Sequence, residues 1–221
     1  MPLLQVKDIA KSFGENEIIA PTSFEVNAGD TIAFVSPSGS GKSTMLSMAG
    51  LLLTPDSGEV CVEGGGNALL LGDKELSRLR QRTFGFVFQS TQLVGSLRAI
   101  ENVTAPAGFA GKLDFDPVQR AQELLEQFGL GDRMYHYPHQ LSVGQKRRIA
   151  VARAMIMSPK VIIADEPTND LDEESAATVA DALFAYAGKG NALLYATHVP
   201  ALAERADIVM TMENRSFVKR V

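Results

Sequence analysis

Long apolar runs are missing from this chain of 221 residues. No stretch approaches the roughly 20 apolar residues a helical membrane span needs. The opening Met1-Pro-Leu-Leu-Gln-Val-Lys7 lacks the charged-then-apolar layout of a signal peptide. The expectation is a cytosolic chain that can still dock on a membrane protein. Cysteine is nearly absent: Cys61 stands alone, which excludes an internal disulfide, and its place in Glu59-Val-Cys-Val-Glu63 marks it as a small core residue. An excess of positive charge is lacking as well. The net charge of −5 and the isoelectric point near 5.3 argue against nucleic acid as a partner. Internal repeats and low-complexity segments are not seen. What is present, 45% hydrophobic and 21% charged residues, suffices for one domain with room for a subdomain.

The stretch from Thr31 to Thr44 organises the rest. An apolar β-branched run passes into Ser36-Pro37-Ser38-Gly39-Ser40-Gly41-Lys42-Ser43-Thr44, then into the helical period of Met45, Leu46 and Met48. A buried strand, a loop of small residues and a helix start form an anion cradle, because backbone N–H groups can wrap inward and the helix dipole adds partial positive charge. Lys42 would reach β- and γ-phosphates, and the Ser43 hydroxyl would ligate Mg²⁺. The plainer alternative is a flexible turn. Ser36 stands where the formal pattern has glycine, which predicts an altered loop entrance if that position needs positive φ.

In chain order, Leu3 to Ile9 and Thr22 to Val26 alternate like half-buried strands, with Lys11 to Glu15 read as a turn. Phe13 there reads first as a core plug, with stacking on a nucleobase as the alternative. Ser57 to Gly64 suggests an edge strand, and the basic Lys74 to Arg82 a short helix, read first as a solvated face with a partner contact as the alternative. Thr83 to Gln89 is a strand ending in a polar residue, where open α/β sheets place ligand contacts. Residues 90–159 turn helical, with the amphipathic Gln119 to Phe128 needing a partner for its apolar stripe.

Leu141-Ser142-Val143-Gly144-Gln145 opens a strong helix with Ser142 as a good N-cap, giving either a second anion site or simple capping. Val161 to Asp165 returns to a buried strand, ending in the paired carboxylates Asp165 and Glu166. If the neighbouring strand feeds the phosphate loop, Asp165 would hold Mg²⁺ through water and Glu166 would orient or deprotonate the attacking water, a role worth about 10² to 10⁴ in rate. Asn191 to His198 is one more buried strand with a histidine at its carboxyl end, read as structural or as a γ-phosphate contact. The tail from Asp207 looks like a closing hairpin turning at Glu213 to Ser216.

Taken together, Phe13, Ser36 to Thr44, Gln89, Leu141 to Gln145, Ile162 to Asp172 and His198 resemble the nucleotide-binding subunit of an ABC transporter over essentially the whole chain. The resemblance implies an α/β fold: a P-loop NTPase (RecA-like) core with an antiparallel β subdomain, formed by 1–89 and 160–221, and an inserted α-helical subdomain at 90–159. It implies ATP and Mg²⁺ as cofactors, with Phe13 stacking on adenine and Ser36 to Thr44 as Walker A. Gln89 becomes the Q-loop residue and, with Ser43 and Asp165, a metal contact. Asp165 and Glu166 become the Walker B aspartate and catalytic glutamate, Asn169 to Asp172 the D-loop and His198 the switch histidine. Ser142, Val143, Gly144 and Gln145 form the signature motif, which faces the phosphate loop of a second copy, so ATP joins two chains. The cycle would pass to a membrane-spanning permease subunit at the cytoplasmic face of the membrane. Val143 departs from the family's usual glycine, and its β-branched side chain predicts slower hydrolysis or weaker closure.

Leu76 to Gln89, Ile100-Glu-Asn-Val103 and Tyr137-Pro-His-Gln-Leu141 are similar to the short ATPases of the macrolide-exporter and lipoprotein-release type, and in part to the ATPase subunit of bacterial heme exporters. The competing reading is a mechanotransmission ATPase, of the cell-division or lipoprotein-release type, that moves no solute across the membrane. The long coiled coils of DNA-repair members and the doubled cassettes of translation factors are not found, and no acceptor pocket suggests a phosphotransferase.

Overall fold

The computed structural model describes residues 1–220. The first sheet is antiparallel, with order β2-β1-β4, formed by β1 (Leu4–Phe13), β2 (Asn16–Val26) and β4 (Ser57–Val62). β4 lies at its edge as expected, and Cys61 is buried. The strand readings at Leu3 to Ile9 and Thr22 to Val26 stop short, since β1 continues through Phe13 and the chain turns at Gly14-Glu15. Register shifts at Val6/Ile9, Ile9/Lys11 and Lys11/Ser12 break the period of two, so alternation could not reveal the outer half of the hairpin.

The second sheet has order β5-β6-β7-β3-β8-β9. Its strands are β3 (Thr31–Val35), β5 (Phe84–Val87), β6 (Val161–Asp165), β7 (Ala192–Ala196), β8 (Ile208–Glu213) and β9 (Ser216–Lys219). The first five in spatial order are parallel and only β9 is antiparallel, closing the expected hairpin over Asn214 and Arg215. The near-continuous apolar runs follow from burial on both faces. In β6, Ile162 and Ala164 enter a core shared with helices, while Val161 and Ile163 enter one shared with the antiparallel sheet. The carboxylate-bearing strand is not the neighbour of the strand feeding the phosphate loop: β7 pairs with both and separates them.

The helices are α1 (Lys42–Ala49), α2 (Asp73–Thr83), α3 (Ala99–Thr104), α4 (Pro117–Gln127), α5 (Val143–Met155), α6 (Glu173–Ala187) and α7 (Pro200–Ala203). Asp116 caps α4 by accepting from the Val118 N–H at 2.8 Å, and Pro117 takes the first helical position, where its missing N–H costs nothing. The α4 stripe of Ala121, Leu125 and Phe128 finds its partners in α3 and α5. Asn102 of α3, buried to 1% exposure, accepts from Val94 N–H at 2.8 Å and donates to the carbonyls of Val94, Leu97 and Arg98. One side chain thereby satisfies a loop without secondary structure of its own.

Candidate active site

Four parallel strands end side by side, and each releases a polar residue at the same edge: Ser36 after β3, His198 after β7, Asp165 and Glu166 at β6, Gln89 after β5. Beyond β3 the chain bends over Ser36 to Gly41, and α1 begins at Lys42 with Gly41 as its N-cap in the left-handed region at φ 102°. A cleft of about 320 Å³ forms against this helix start, lined by Phe13, Ile18, Ser38, Gly39, Gly41 to Thr44, Gln89, Asp165 and Glu166. Residues distant in sequence are thus brought to one cavity.

Lys42 is buried, and its ammonium donates to the Ser36 carbonyl at 2.7 Å and the Pro37 carbonyl at 3.2 Å, with Glu166 Oε1 at 4.0 Å. Ser36 is not among the residues with positive φ, so the serine is compatible with the loop entrance, and its hydroxyl pairs with that of Ser40. The positive φ on which that concern rested is absent at Ser36.

Glu166 is buried and sits in the left-handed region at φ 46°, a conformation of appreciable cost for a residue with a side chain. Its N–H donates to the Ala196 carbonyl at 3.0 Å. The carboxylate oxygen Oε2 accepts from His198 twice, from ring Nδ1 at 2.9 Å and from backbone N–H at 3.3 Å. An acid, a cation and an imidazole are therefore linked in one chain of contacts. Burial raises the Asp165 carboxyl above its ordinary value; the Ser43 hydroxyl opposes this, Glu166 adds to it, and Lys42 and Arg147 oppose it.

Phe13 is 52% exposed and lines the cleft, so the core-plug reading is corrected. Ile18, one turn of the hairpin away, lines it too; sequence reading missed it because β2 was placed too short. Ser142 to Gln145 lie outside this cleft, at the start of α5. Ser142 Oγ accepts from the Gln145 N–H at 3.2 Å while Gln145 Oε1 accepts from the Ser142 N–H at 3.0 Å, a reciprocal cap. Capping is thus real within one chain, and the N–H groups of Val143 and Gly144 have no acceptor among the described residues. Val143 has helical backbone angles and is 54% exposed, which removes backbone strain as a concern and leaves only its bulk. Gly144 is required by close approach: a Cβ there would stand 2.4 Å from Ser175 Oγ. Asp172 caps α6 beside it, accepting from the Ser175 N–H at 2.8 Å, which holds its carboxyl below the usual range.

Residues 19–169 match the family model described as ABC transporter. The chain belongs to the ABC transporter family. This ABC cassette is 41% identical to the lipoprotein-releasing system ATP-binding protein LolD of Nitrobacter hamburgensis, over 99% of this chain and 96% of that protein. It is also 41% identical to the macrolide export ATP-binding/permease protein MacB of Brucella abortus, covering 93% of this chain but 32% of that protein, so it spans about a third of that relative. Among solved structures, a dimeric post-hydrolysis state of the ATP-binding cassette MJ0796 bound to ADP and Pi superposes with a TM-score of 0.89 at 30% identity, covering 98% of this chain and 97% of that one. The cassette binds ATP and is an ATPase, with the P-loop NTPase fold and an antiparallel sheet beside it.

Among the described residues no group of three or more His, Cys, Asp or Glu side chains can hold a metal alone. The cleft's donors are instead a hydroxyl (Ser43), an amide oxygen (Gln89) and a carboxylate (Asp165), hard oxygen ligands suited to Mg²⁺, which keeps waters and shares phosphate oxygens. Partial burial disfavours the charged form of the Asp165 carboxyl, a penalty that a bound cation would offset.

Proposed function

We propose that two copies of this chain close on ATP and drive a membrane-spanning permease subunit from the cytoplasmic face of the membrane. The observation that carries the reading is the Lys42, Glu166 and His198 contact chain at the mouth of the phosphate loop. In this reading the loop from Ser36 to Thr44 binds the phosphates, Phe13 stacks on the base, and Lys42 offsets negative charge on the β- and γ-phosphates. Mg²⁺, held by Ser43, Asp165 and Gln89, would neutralise phosphate charge. Glu166 accepts a proton from water as its oxygen attacks the γ-phosphorus; the bond to the bridging oxygen breaks, and ADP and phosphate leave. His198 orients the Glu166 carboxylate. Ser142 to Gln145 of one copy complete the site of the other, with Asp172 behind them, consistent with the free N–H groups at Val143 and Gly144. The dimeric MJ0796 cassette supports this pairing. We also divide the chain into a core (1–89 and 160–221) and a helical subdomain (90–159), since only helices lie between α3 and α5.

A groove of about 760 Å³ supports permease docking: Phe88, Leu52, Met157 and the 86% exposed Phe109 line it, and basic residues of α2, Arg78 and Arg80, border it. No helix among the described residues is long and apolar enough to cross a membrane. The substrate we propose is hydrophobic, such as heme, exported by the assembled complex. A second reading, mechanotransmission without solute transport, is favoured by the LolD relative. The test is ATP turnover by the chain with its membrane subunit in liposomes. Stimulation by heme or another small hydrophobic compound supports export, stimulation by a lipoprotein or a cell-wall hydrolase supports the second reading, and turnover indifferent to the membrane subunit overturns both.

Val143→Gly is expected to raise turnover of the assembled dimer, because the helix start keeps its cap while the bulk facing the partner's phosphate loop is removed. Steady-state hydrolysis checks it, and an unchanged rate would show that the valine is accommodated.

A further inference from the structure

Arg147 is 3% exposed, although it belongs to a run, Lys146-Arg147-Arg148, that looks like a solvated helix face. Its two terminal nitrogens donate to consecutive carbonyls, Nη1 to Phe88 and Nη2 to Gln89, each at 2.7 Å. Nε has no acceptor among the described residues, and no carboxylate is paired with the guanidinium there. Burying a cation whose hydrogen bonds all go to neutral carbonyls, with Asp165 and Asp170 acting on it only through longer-range charge, is an expensive arrangement when stability is the only criterion. What it supplies is geometry, since a planar fork fixes two neighbouring peptide groups at once and a lysine ammonium, a single point, cannot. The two peptides it grips are those whose side chains part company: Gln89 lines the nucleotide cleft and Phe88 lines the large groove. Arg147 itself stands in the helix that Ser142 caps.

We propose that Arg147 is a positioning residue for ATP turnover, holding the Gln89 backbone in fixed relation to the helix that starts at Ser142. This rests on the ATPase reading of the cleft. Displacing one end of α5 then displaces Gln89, and the reverse holds equally. Arg153 repeats the device beyond Ser90, donating to the carbonyls of Thr91 at 2.8 Å and Gln92 at 2.8 Å, but neither of those residues lines the nucleotide cleft. It is therefore the matched comparison: the same chemistry, with Ser90 between its carbonyls and Gln89.

The test compares wild type, Arg147→Lys and Arg153→Lys as full chains, measuring kcat for ATP, affinity for a fluorescent ATP analogue, the stoichiometry of its binding and amide hydrogen exchange. For Arg147→Lys, exchange is expected to rise over 88–92 but not over 36–44, with kcat lower by about 10- to 100-fold, the scale of a misplaced catalytic contact. Nucleotide affinity should stay within about threefold, because the phosphate loop is untouched. Arg153→Lys should loosen 91–92 with the smaller loss of kcat. An Arg147→Lys protein with wild-type kcat overturns the proposal, as does a loss of kcat matched by lost binding stoichiometry and raised exchange throughout the chain. Equal loss in both lysine variants would assign the effect to the segment rather than to Arg147. A wild type that binds but never turns over ATP would instead remove the ATPase reading on which the proposal stands.

Discussion

Glu166→Gln is expected to lower ATP turnover by about 10² to 10⁴, the contribution of a positioned general base, while ATP binding persists. The amide keeps the shape of the side chain, and its oxygen can still accept from His198 as the carboxylate does at 2.9 Å. The lost property is basicity. Lys42 keeps its carbonyl partners at Ser36 and Pro37, so the loop's cation is not released by the substitution. With hydrolysis stopped, ATP should hold two copies together, and size exclusion of the variant with ATP should show a dimer. A monomer with ATP bound would shift attention to Val143 or to a closure that requires the membrane subunit. Undiminished hydrolysis would remove Glu166 from its role.

Gly41→Ala is expected to weaken ATP binding by more than about tenfold and to lower the unfolding temperature, by two separate faults. An L-residue at φ 102° is strained by about 1 to 3 kcal/mol. The new methyl would also stand 2.6 Å from Ile19 Cδ1 and 3.0 Å from Ile18 Cγ2. Ile19 is fully buried, so relieving the contact takes either a rotamer change inside the core or a shift of the loop that carries Lys42. Gly39→Ala separates the faults: φ is 77° there, but nothing lies within 4 Å of the added carbon. It should show the strain with less loss of binding. ATP titration and thermal denaturation of both variants check this, and wild-type affinity in Gly41→Ala would refute the steric argument.

The parts legible in the sequence are those whose cause is local. β6 and β7 read as buried strands because both faces are covered, and the loop at Ser36 to Thr44 announces itself because only small residues permit its wrapping. α4 was legible from its stripe, while its start at Asp116 and Pro117, two residues before the Gln119 expected, was not. What escaped depends on residues far apart in the chain. Phe13 looked like core because bulges in β1 hide how far the hairpin runs beyond Ile9. Arg147 drew no reading because its partners, Phe88 and Gln89, lie across a fold that charge patterning does not reveal. The need for glycine at 144 comes from Ser175, on another helix. The worry over Ser36 came from importing a backbone angle that this loop does not use.

The intervening strand β7 has a dimensional consequence. Glu166 N–H is tied to the Ala196 carbonyl at 3.0 Å on one flank, and Thr197 N–H is tied to the Phe34 carbonyl at 3.2 Å on the other. The span from the phosphate loop to the acid pair is therefore two inter-strand spacings, each about 4.8 Å. That ruler is made of peptide groups and not of side chains. Substitutions among Leu193, Leu194 and Tyr195 can alter how firmly the ruler is held, but not its length. Such a gap can stay constant while the surrounding core drifts in sequence, leaving one small residue at Ala196 as the place where width and chemistry meet.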